Sequence, residues 1–197
     1  SRLMITFDEI LTDGDVDHQR YKCNNLIELN CAPGEYQFES IEPYTLQYMK
    51  VIVLEGKCTI DQLSLREYTT PDVWKADFAA SDPRLNDIFD AARETYRQNS
   101  VDIFMDCPSR ERAGWLCDSY FTARVAQDFS GHCNIEKNFL ENYLLPDSFR
   151  YMPEGMLPPC YPADQTERRF IPNWAMFFVL QLEEYYQRTG DAAFVMA

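Results

Sequence analysis

Residues 106–118 read DCPSRERAGWLCD and bring three carboxylates, two arginines and a tryptophan into a break between two segments of helical periodicity. Pro108 and Gly114 make this break irregular. Carboxylates accept several hydroxyl hydrogens, arginine offers a planar fork of donors, and an indole face stacks on the apolar face of a sugar ring. A carboxyl group next to apolar surface and other carboxylates can also act as an acid near neutral pH. The composition therefore fits either a sugar site or a solvated loop of salt bridges.

On both sides of this stretch, from about residue 80 onward, the apolar residues recur with a helical period. Asp82 is a predicted N-cap with Pro83 in the first helical position. A second helix is predicted after Asp118, a third over 134–145 and a fourth over 173–189, ending at Gly190. The fourth is apolar nearly all round at its start, which predicts a buried helix. Between the last two lies a loop, 149–172, whose five prolines favour an ordered conformation.

Residues 1–75 alternate apolar and polar side chains with a period of two, as half-buried strands do. The alternating pairs are Ile27 and Leu29, Tyr36 and Phe38, and Leu63 and Leu65. The run 49–54 is almost continuously apolar and predicts a more central strand that ends at Gly56. Turn signals at 13–14 and 33–34 separate the segments. The first half is therefore predicted to be part of an antiparallel β-sandwich.

Charge and hydropathy limit the possible partners. The 197 residues carry a net charge of −14, which repels phosphate-rich partners and argues against nucleic acid and anionic membrane surfaces. A hydrophobic fraction of 46% identifies a folded globular chain. No apolar run reaches the ~18 residues of a spanning helix, and the first 20 residues lack the order of a signal peptide. The compartment stays open, with a periplasmic or secreted protein favoured.

Cysteine and histidine spacings indicate no metal or cofactor. None of the seven cysteines forms a C-x-x-C pair, so buried free thiols are predicted. His18 and His132 are isolated. The acidic run from Asp13 resembles a calcium loop, but its sixth and twelfth positions are His18 and Asn24, so a β-turn is predicted instead. The sequence opens directly into strand-like residues, and a new apolar stretch begins at Ala192, so a piece of a longer chain is expected.

The stretch 106–118 resembles the signature of the α-L-rhamnosidases of glycoside hydrolase family 78. Residues 81–108, SDPRLNDIFDAARETYRQNSVDIFMDCP, resemble that family's entry helix, and residues 171–191, IPNWAMFFVLQLEEYYQRTGD, resemble a later helix. Residues 44–56, YTLQYMKVIVLEG, are similar to the closing strands of the preceding β-sandwich. The resemblance implies two domains. Residues 1–75 would be the C-terminal part of a β-sandwich, and residues 76–197 the first helices of a truncated (α/α)6 six-hairpin catalytic barrel.

The same resemblance implies an inverting enzyme that removes terminal α-L-rhamnose from glycans or glycosides, without cofactor or metal. Glu111 aligns with the general acid. The residues that align with the lining of the sugar subsite are Asp106, Arg110, Trp115 and Asp118, and Trp174 aligns with a stacking tryptophan, although core packing would also explain it. Inversion needs a second carboxylate, the general base, which is expected beyond residue 197, so the isolated 197 residues are expected to be inactive. Glu154 and Glu167 are local candidates that match no family position.

The sequence departs from the family pattern at three points. The chain is one residue shorter before Glu111, which is a variant of the pattern and not a loss, Cys117 replaces a glycine, and Asn173 replaces an aspartate. The last two departures concern the sugar more than the reaction. An exo-glycosidase of the same barrel type with another sugar preference therefore remains an alternative. A further alternative, from a different class, is a non-catalytic carbohydrate-binding sandwich supported by helices, in which Glu111 would be dispensable.

Overall fold

The chain divides into two compact units in the computed structural model, which describes residues 1–163 and 170–196. Unit 1 comprises Ser1–Tyr68 with Pro108–Glu111, and unit 2 comprises Thr69–Cys107 with Arg112–Ala197. The stretch 106–118 therefore contributes residues to both units. Within the described residues, every helix is too short or too polar to cross a lipid bilayer.

Unit 1 is built on a three-stranded antiparallel sheet. Its strands are β1 (Arg2–Asp8), β4 (Leu26–Asn30) and β5 (Tyr48–Glu55), in the order β4-β1-β5, and a two-stranded ladder joins β2 (Leu11–Thr12) to β3 (Asp15–Val16). Met4 of β1 lies opposite Glu28 on one side and Ile52 on the other. The prediction that 49–54 forms the more central strand was wrong, because β1 pairs with both neighbours and leaves β5 at an edge.

The two-residue turn between β2 and β3 confirms the predicted turn at 13–14. Asp13 and Gly14 both have positive φ angles, of 52° and 80°. This backbone matches the right-handed twist of a tight hairpin, and aspartate followed by glycine tolerates it well. The acidic run from Asp13 thus forms a hairpin, as the β-turn interpretation predicted.

Two of the predicted strands are absent from unit 1. Tyr36 and Phe38 are 62% and 50% exposed, Leu63 and Leu65 are 64% and 71% exposed, and none of the four lies in a strand. Apolar alternation stabilises a strand only where a neighbouring strand supplies hydrogen bonds and facing side chains. These segments have no such neighbour, and the described sheet and ladder do not confirm a two-layer sandwich.

The interior of unit 1 combines apolar packing with a buried ion pair. Phe7 is 1% exposed and its ring lies 4.5 Å from that of Tyr44. Next to it, Arg20 donates two hydrogen bonds of 2.7 Å to the buried carboxylate of Asp8. These hydrogen bonds lower the pKa of Asp8, so the carboxylate stays charged while buried.

Unit 2 is helical: α1 (Pro83–Asn99), α2 (Leu116–Ser130), α3 (Asn134–Asn142), α4 (Pro172–Thr189) and the short α5 (Ala192–Val195). The Asp82 carboxylate accepts a hydrogen bond of 3.0 Å from the Arg84 backbone N–H, which confirms the predicted cap. Gly190 ends α4 with a φ of 70°, a left-handed conformation that glycine adopts without strain. Helix α2 begins at Leu116, three residues before the predicted start after Asp118.

Two buried clusters hold these helices together. One lies among α2, α3 and α4 and contains Leu116, Phe139, Leu140, Tyr143 and Phe178 together with Ile103, Met105, Cys133 and Tyr185. The other joins α1 to α2 through Tyr96, Phe104, Ala123, Ala126 and Phe129, with Val73. The start of α2 is therefore packed on one side by α3 and α4, and the middle of α2 is packed on the other side by α1.

The prediction that α4 is buried all round was wrong. Met176 and Val179 are each 64% exposed, whereas Phe178, Gln181 and Tyr185 are buried. The buried residues follow the three-to-four-residue spacing of a single helix face. The apolar residues at the start of α4 therefore lie on two faces, and only one of these faces packs within unit 2.

Within the described residues, no disulfide bond joins any of the seven cysteines. Cys23, Cys133 and Cys160 are buried, whereas Cys58 is exposed and the others are half-buried, so the predicted burial is correct for three of them. Over residues 1–163 and 170–196, no three histidine, cysteine or carboxylate side chains gather into a metal-binding group.

Candidate active site

A pair of hydrogen bonds closes the base of the loop that carries the candidate acid. The Asp106 backbone N–H donates to the Ala113 carbonyl at 3.0 Å, and the Ala113 N–H donates to the Asp106 Oδ1 at 3.0 Å. Asp106 is half-buried and uses its carboxylate in this closure. Asp106 therefore has a structural role, because its Oδ1 holds the loop closed. Any contact with a sugar would be additional to this role.

The tip of the loop, 108–111, belongs to unit 1 and carries Glu111 and Arg110. The Thr45 hydroxyl donates a hydrogen bond of 3.0 Å to the Pro108 carbonyl and fixes the start of this tip. The Glu111 side chain is 16% exposed and forms an ion pair with Arg110, which is 52% exposed. The Glu111 side chain is thus mostly shielded from solvent but keeps some exposure, as a group that contacts a ligand requires.

The residue after Glu111 is held in an uncommon backbone conformation. Arg112 has a φ of 51°, in the left-handed region that non-glycine residues seldom adopt. Such conformations cost of order 1–3 kcal/mol and persist where the surrounding structure imposes them. The closure between Asp106 and Ala113 is one such constraint on the backbone of Arg112.

Residues 114–116 run alongside residues 159–162 of the proline-rich loop. Gly114 and Tyr161 are joined by a hydrogen bond of 3.0 Å from the Tyr161 N–H to the Gly114 carbonyl, and the Leu116 N–H donates to the Pro159 carbonyl at 3.0 Å. Trp115 and Cys160 form an antiparallel bridge between them. This part of the loop is therefore ordered, as predicted, and it supports the backbone of Trp115.

Gly114 has no room for a side chain. A Cβ atom there would lie 2.6 Å from the Tyr161 carbonyl oxygen and 2.9 Å from a ring carbon of Phe139. We expect Gly114→Ala to separate the site segment from residues 159–162 and to lower the free energy of unfolding by about 1–3 kcal/mol or more. Urea unfolding should show this loss, and Gln62→Ala, at an exposed side chain, is the control that should cost little. A neutral Gly114→Ala variant would contradict the close packing.

The first turn of α2 presents two of the predicted sugar-contacting residues. Trp115 is half-buried at the N-cap position, and Asp118 is exposed in the first turn, where a negative charge also complements the helix dipole. Cys117 lies between them, half-buried, and burial together with the Asp118 charge raises the pKa of its thiol. Cys117 is therefore a neutral, compact side chain in this turn.

Trp174 lies in the first turn of α4, half-buried. It packs against the cluster among α2, α3 and α4, and its ring meets that of Phe177 nearly at right angles, at 81° and 6.3 Å between centroids. Part of the indole is thus used in packing and part of it faces solvent. The geometry accommodates both the predicted stacking role and the packing alternative.

The two local candidates for a general base receive no support. Glu154 is exposed on the proline-rich loop, in the stretch before residues 159–162. Glu167 lies outside the described residues. No second carboxylate is therefore assigned opposite Glu111.

A buried polar cluster was missed in the sequence. Gln181 of α4, Ser119 of α2 and Glu136 of α3 are all 0% exposed, and Arg188 of α4 donates a hydrogen bond of 2.6 Å to Glu136. A signal was present, because Gln181 is the one polar residue in the run from Trp174 to Leu182. It falls seven residues after Trp174, on the same side of the helix.

A family model described as the bacterial α-L-rhamnosidase six-hairpin glycosidase domain matches residues 74–197. The matched segment includes the whole stretch 106–118 and the helix that carries Trp174. Among curated protein sequences, none matches this chain.

Two solved structures resemble the whole chain. A GH78 family rhamnosidase of Bacillus sp. GL1 superposes with a TM-score of 0.77 at 27% identity, covering 98% of this chain and 20% of its own. A rhamnosidase from Klebsiella oxytoca with rhamnose bound superposes with a TM-score of 0.63 at 22% identity, covering 98% of this chain and 40% of its own. The chain thus spans less than half the length of either relative.

Proposed function

Because the chain belongs to the bacterial α-L-rhamnosidase family of six-hairpin glycosidase domains, we propose that the protein hydrolyses terminal α-L-rhamnosidic bonds in glycans or glycosides. The observation that carries the proposal is the family match over residues 74–197. This match includes the stretch 106–118 and helices α2 and α4, on which the candidate sugar-binding residues lie. The rhamnose held by the Klebsiella oxytoca relative supports the same sugar.

The fold supports a matching architecture. We propose that α1 to α5 are the first helices of an (α/α)6 barrel over residues 76–197, and that the sheet in residues 1–75 closes a β-sandwich. The antiparallel order β4-β1-β5 and the packing of α2 against α4 are compatible with this arrangement.

In the proposed reaction Glu111 is the general acid. Its carboxyl group donates a proton to the glycosidic oxygen as the bond between that oxygen and the anomeric carbon breaks, so the aglycone leaves as a neutral alcohol. To donate, the carboxyl must carry a proton and leave its ion pair with Arg110. Arg110 is then released to bind a sugar hydroxyl.

The second half of the reaction is a single displacement by water. A second carboxylate takes a proton from this water, which attacks the anomeric carbon from the face opposite the leaving group and inverts its configuration. In inverting enzymes the two carboxyl groups are ~6.5–9.5 Å apart. We place this base on a later helix of the barrel, beyond residue 197.

The remaining candidates bind the sugar. Trp115 and Trp174 offer indole faces for the apolar side of the ring, and Asp106 and Asp118 accept hydrogen bonds from its hydroxyls. Cys117 and Asn173 differ from the family pattern, and Cys117 lies in the same turn as Trp115 and Asp118. Because Cys117 lies beside two candidate sugar-contacting residues, the second candidate function is hydrolysis of a related sugar that differs from rhamnose at one substituent.

A substrate panel tests the proposal on the full-length protein. Nitrophenyl glycosides of α-L-rhamnose, α-L-fucose and α-L-arabinose would be compared by kcat/KM, and NMR would identify the first anomer released. We expect the rhamnoside to be cleaved most efficiently, with release of the inverted β-anomer. Preference for another sugar would select the second candidate. Release of the α-anomer would exclude single displacement, and binding of rhamnose without hydrolysis would indicate a carbohydrate-binding protein.

A further inference from the structure

A hydrogen bond inside unit 2 links α4 to the first turn of α2. The side-chain Nε2 of Gln181 donates to the Oγ of Ser119 at 3.2 Å, and both residues are fully buried. Ser119 lies one residue after Asp118, and its backbone N–H donates to the carbonyl of Trp115 at 2.9 Å. The amide of Gln181 therefore reaches the turn that carries two of the candidate sugar-contacting side chains.

Gln181 is also held from its other side. Its amide lies close to the carboxylate of Glu136 in α3, which is fully buried and accepts a hydrogen bond of 2.6 Å from Arg188 of α4. Arg188 in turn bonds Glu184 at 3.2 Å, and Tyr120 of α2 donates to Glu184 at 2.8 Å. Gln181 thus lies in a buried polar group to which α2, α3 and α4 all contribute side chains.

Stability alone does not explain this buried pair. Burying an amide and a hydroxyl group costs free energy that their mutual hydrogen bond only offsets, and replacing both partners by apolar groups of similar shape is often nearly neutral. The Oε1 of Gln181 has no hydrogen-bond partner among the described residues, which adds to the cost. The pair does define how the two helices are oriented. A hydrogen bond restricts the rotation of α2 relative to α4 more narrowly than apolar contact does.

We propose that Gln181 is a positioning residue that acts through Ser119 on the first turn of α2, and so sets the orientation of Trp115 and Asp118 toward the sugar. Trp174 lies seven residues before Gln181 on α4, so the same bond also fixes the spacing between the two candidate stacking tryptophans. This inference rests on the proposed function for its ligand. It assigns Gln181 and Ser119 no contact with the substrate.

The test is a double-mutant cycle in the full-length protein, with Gln181→Met, Ser119→Ala and the two combined. We expect each single variant to raise KM for a nitrophenyl α-L-rhamnoside by about 3- to 10-fold, the equivalent of one ordinary hydrogen bond, with kcat changed less than twofold. The double variant should show the same increase as either single one, because the two side chains act through one bond.

Tyr185→Phe is the matched control on the same helix. Tyr185 is buried and its hydroxyl group donates to Asp191 at 3.3 Å, so this variant also removes a single polar contact, but at the opposite end of α4. We expect it to leave KM unchanged. An equal rise in KM for Tyr185→Phe, or additive effects in the double variant, would overturn the inference and leave a general loss of packing as the explanation.

Amide hydrogen exchange separates this inference from the proposed function, since it needs no activity. Gln181→Met should speed exchange several-fold in a peptide covering residues 113–122 and leave α1 unchanged. Unchanged exchange in 113–122 would overturn the positioning role even if the protein hydrolyses rhamnosides. If the wild-type protein neither hydrolyses rhamnosides nor binds rhamnose, the proposed function fails, and faster exchange would still support positioning of this turn by Gln181.

Discussion

Replacing Glu111 by glutamine is expected to reduce hydrolysis of an alkyl or sugar rhamnoside by about 10²–10⁴-fold, the usual contribution of a positioned general acid. Glutamine keeps the size of the side chain and its capacity to accept hydrogen bonds, but its amide cannot donate a proton to the leaving oxygen. The measurement is kcat/KM in the full-length protein. The effect should appear mainly in kcat, because proton donation occurs in the transition state and not in substrate binding.

The leaving group provides the sharper half of this experiment. A nitrophenolate departs with little protonation, so Glu111→Gln should cost distinctly less activity on a nitrophenyl rhamnoside than on a sugar rhamnoside. The same substitution at Glu35, an exposed carboxylate elsewhere in unit 1, is the control and should leave both rates unchanged. Equal losses on both substrates would make Glu111 a sugar ligand or a structural residue.

Removing Arg188 is expected to cause the largest loss of stability. Arg188→Met would leave the carboxylate of Glu136 buried without its cation, and breaking a buried ion pair on one side typically costs ~3–5 kcal/mol. The control is Arg124→Met, which removes a 53% exposed arginine 3.4 Å from Glu184. Because this arginine is exposed to solvent, which screens its charge, the pair is worth about 0–1 kcal/mol. The urea midpoints of Arg188→Met and Arg124→Met measure the two losses of stability. Similar losses would contradict the special role of the buried pair between Arg188 and Glu136.

The cost of Arg188→Met should also depend on pH. Burial raises the pKa of Glu136 above its ordinary value of 4.5, and the hydrogen bond from Arg188 opposes this rise. Without Arg188 the folded protein holds the Glu136 proton to higher pH than the unfolded chain does, so stability falls as pH rises above about 4.5. We therefore expect a smaller loss at pH 5 than at pH 8. Adding Glu136→Gln to the variant should remove this dependence.

The helices were predictable because their signals are local. Asp82 and Pro83 start α1 and Gly190 ends α4, and each of these residues acts on the backbone within one turn of itself. Strands depend on partners distant in the sequence, which short alternating patterns do not identify. The pairs at 36–38 and 63–65 alternate as well as 27–29 does, yet only the last lies beside β1.

The candidate site divides in the same way. The contiguous stretch 106–118 was visible as a unit, and its resemblance to a known family could be read directly from the order of its residues. The pairing of Gly114 with Tyr161 and of Ser119 with Gln181 could not, because it depends on which loop and which helix pack against the stretch. Likewise, Met176 and Val179 are exposed because they lie on the side of α4 that does not face the neighbouring helices of unit 2, and their hydropathy could not reveal this.

The hydrogen bonds between 114–116 and 159–162 bear on attempts to change substrate range by exchanging loops. The proline-rich loop can be divided at about residue 157. Residues 151–156 are mostly exposed, whereas Leu157 packs against the cluster among α2, α3 and α4, and residues 159–162 support the backbone of Trp115. A loop transplanted from a related protein that replaced both parts would therefore disturb residues 114–116 of the candidate site as well as the exposed part of the loop. Grafts confined to 151–156 would vary only the exposed part, and this boundary is where a chimaera should be joined.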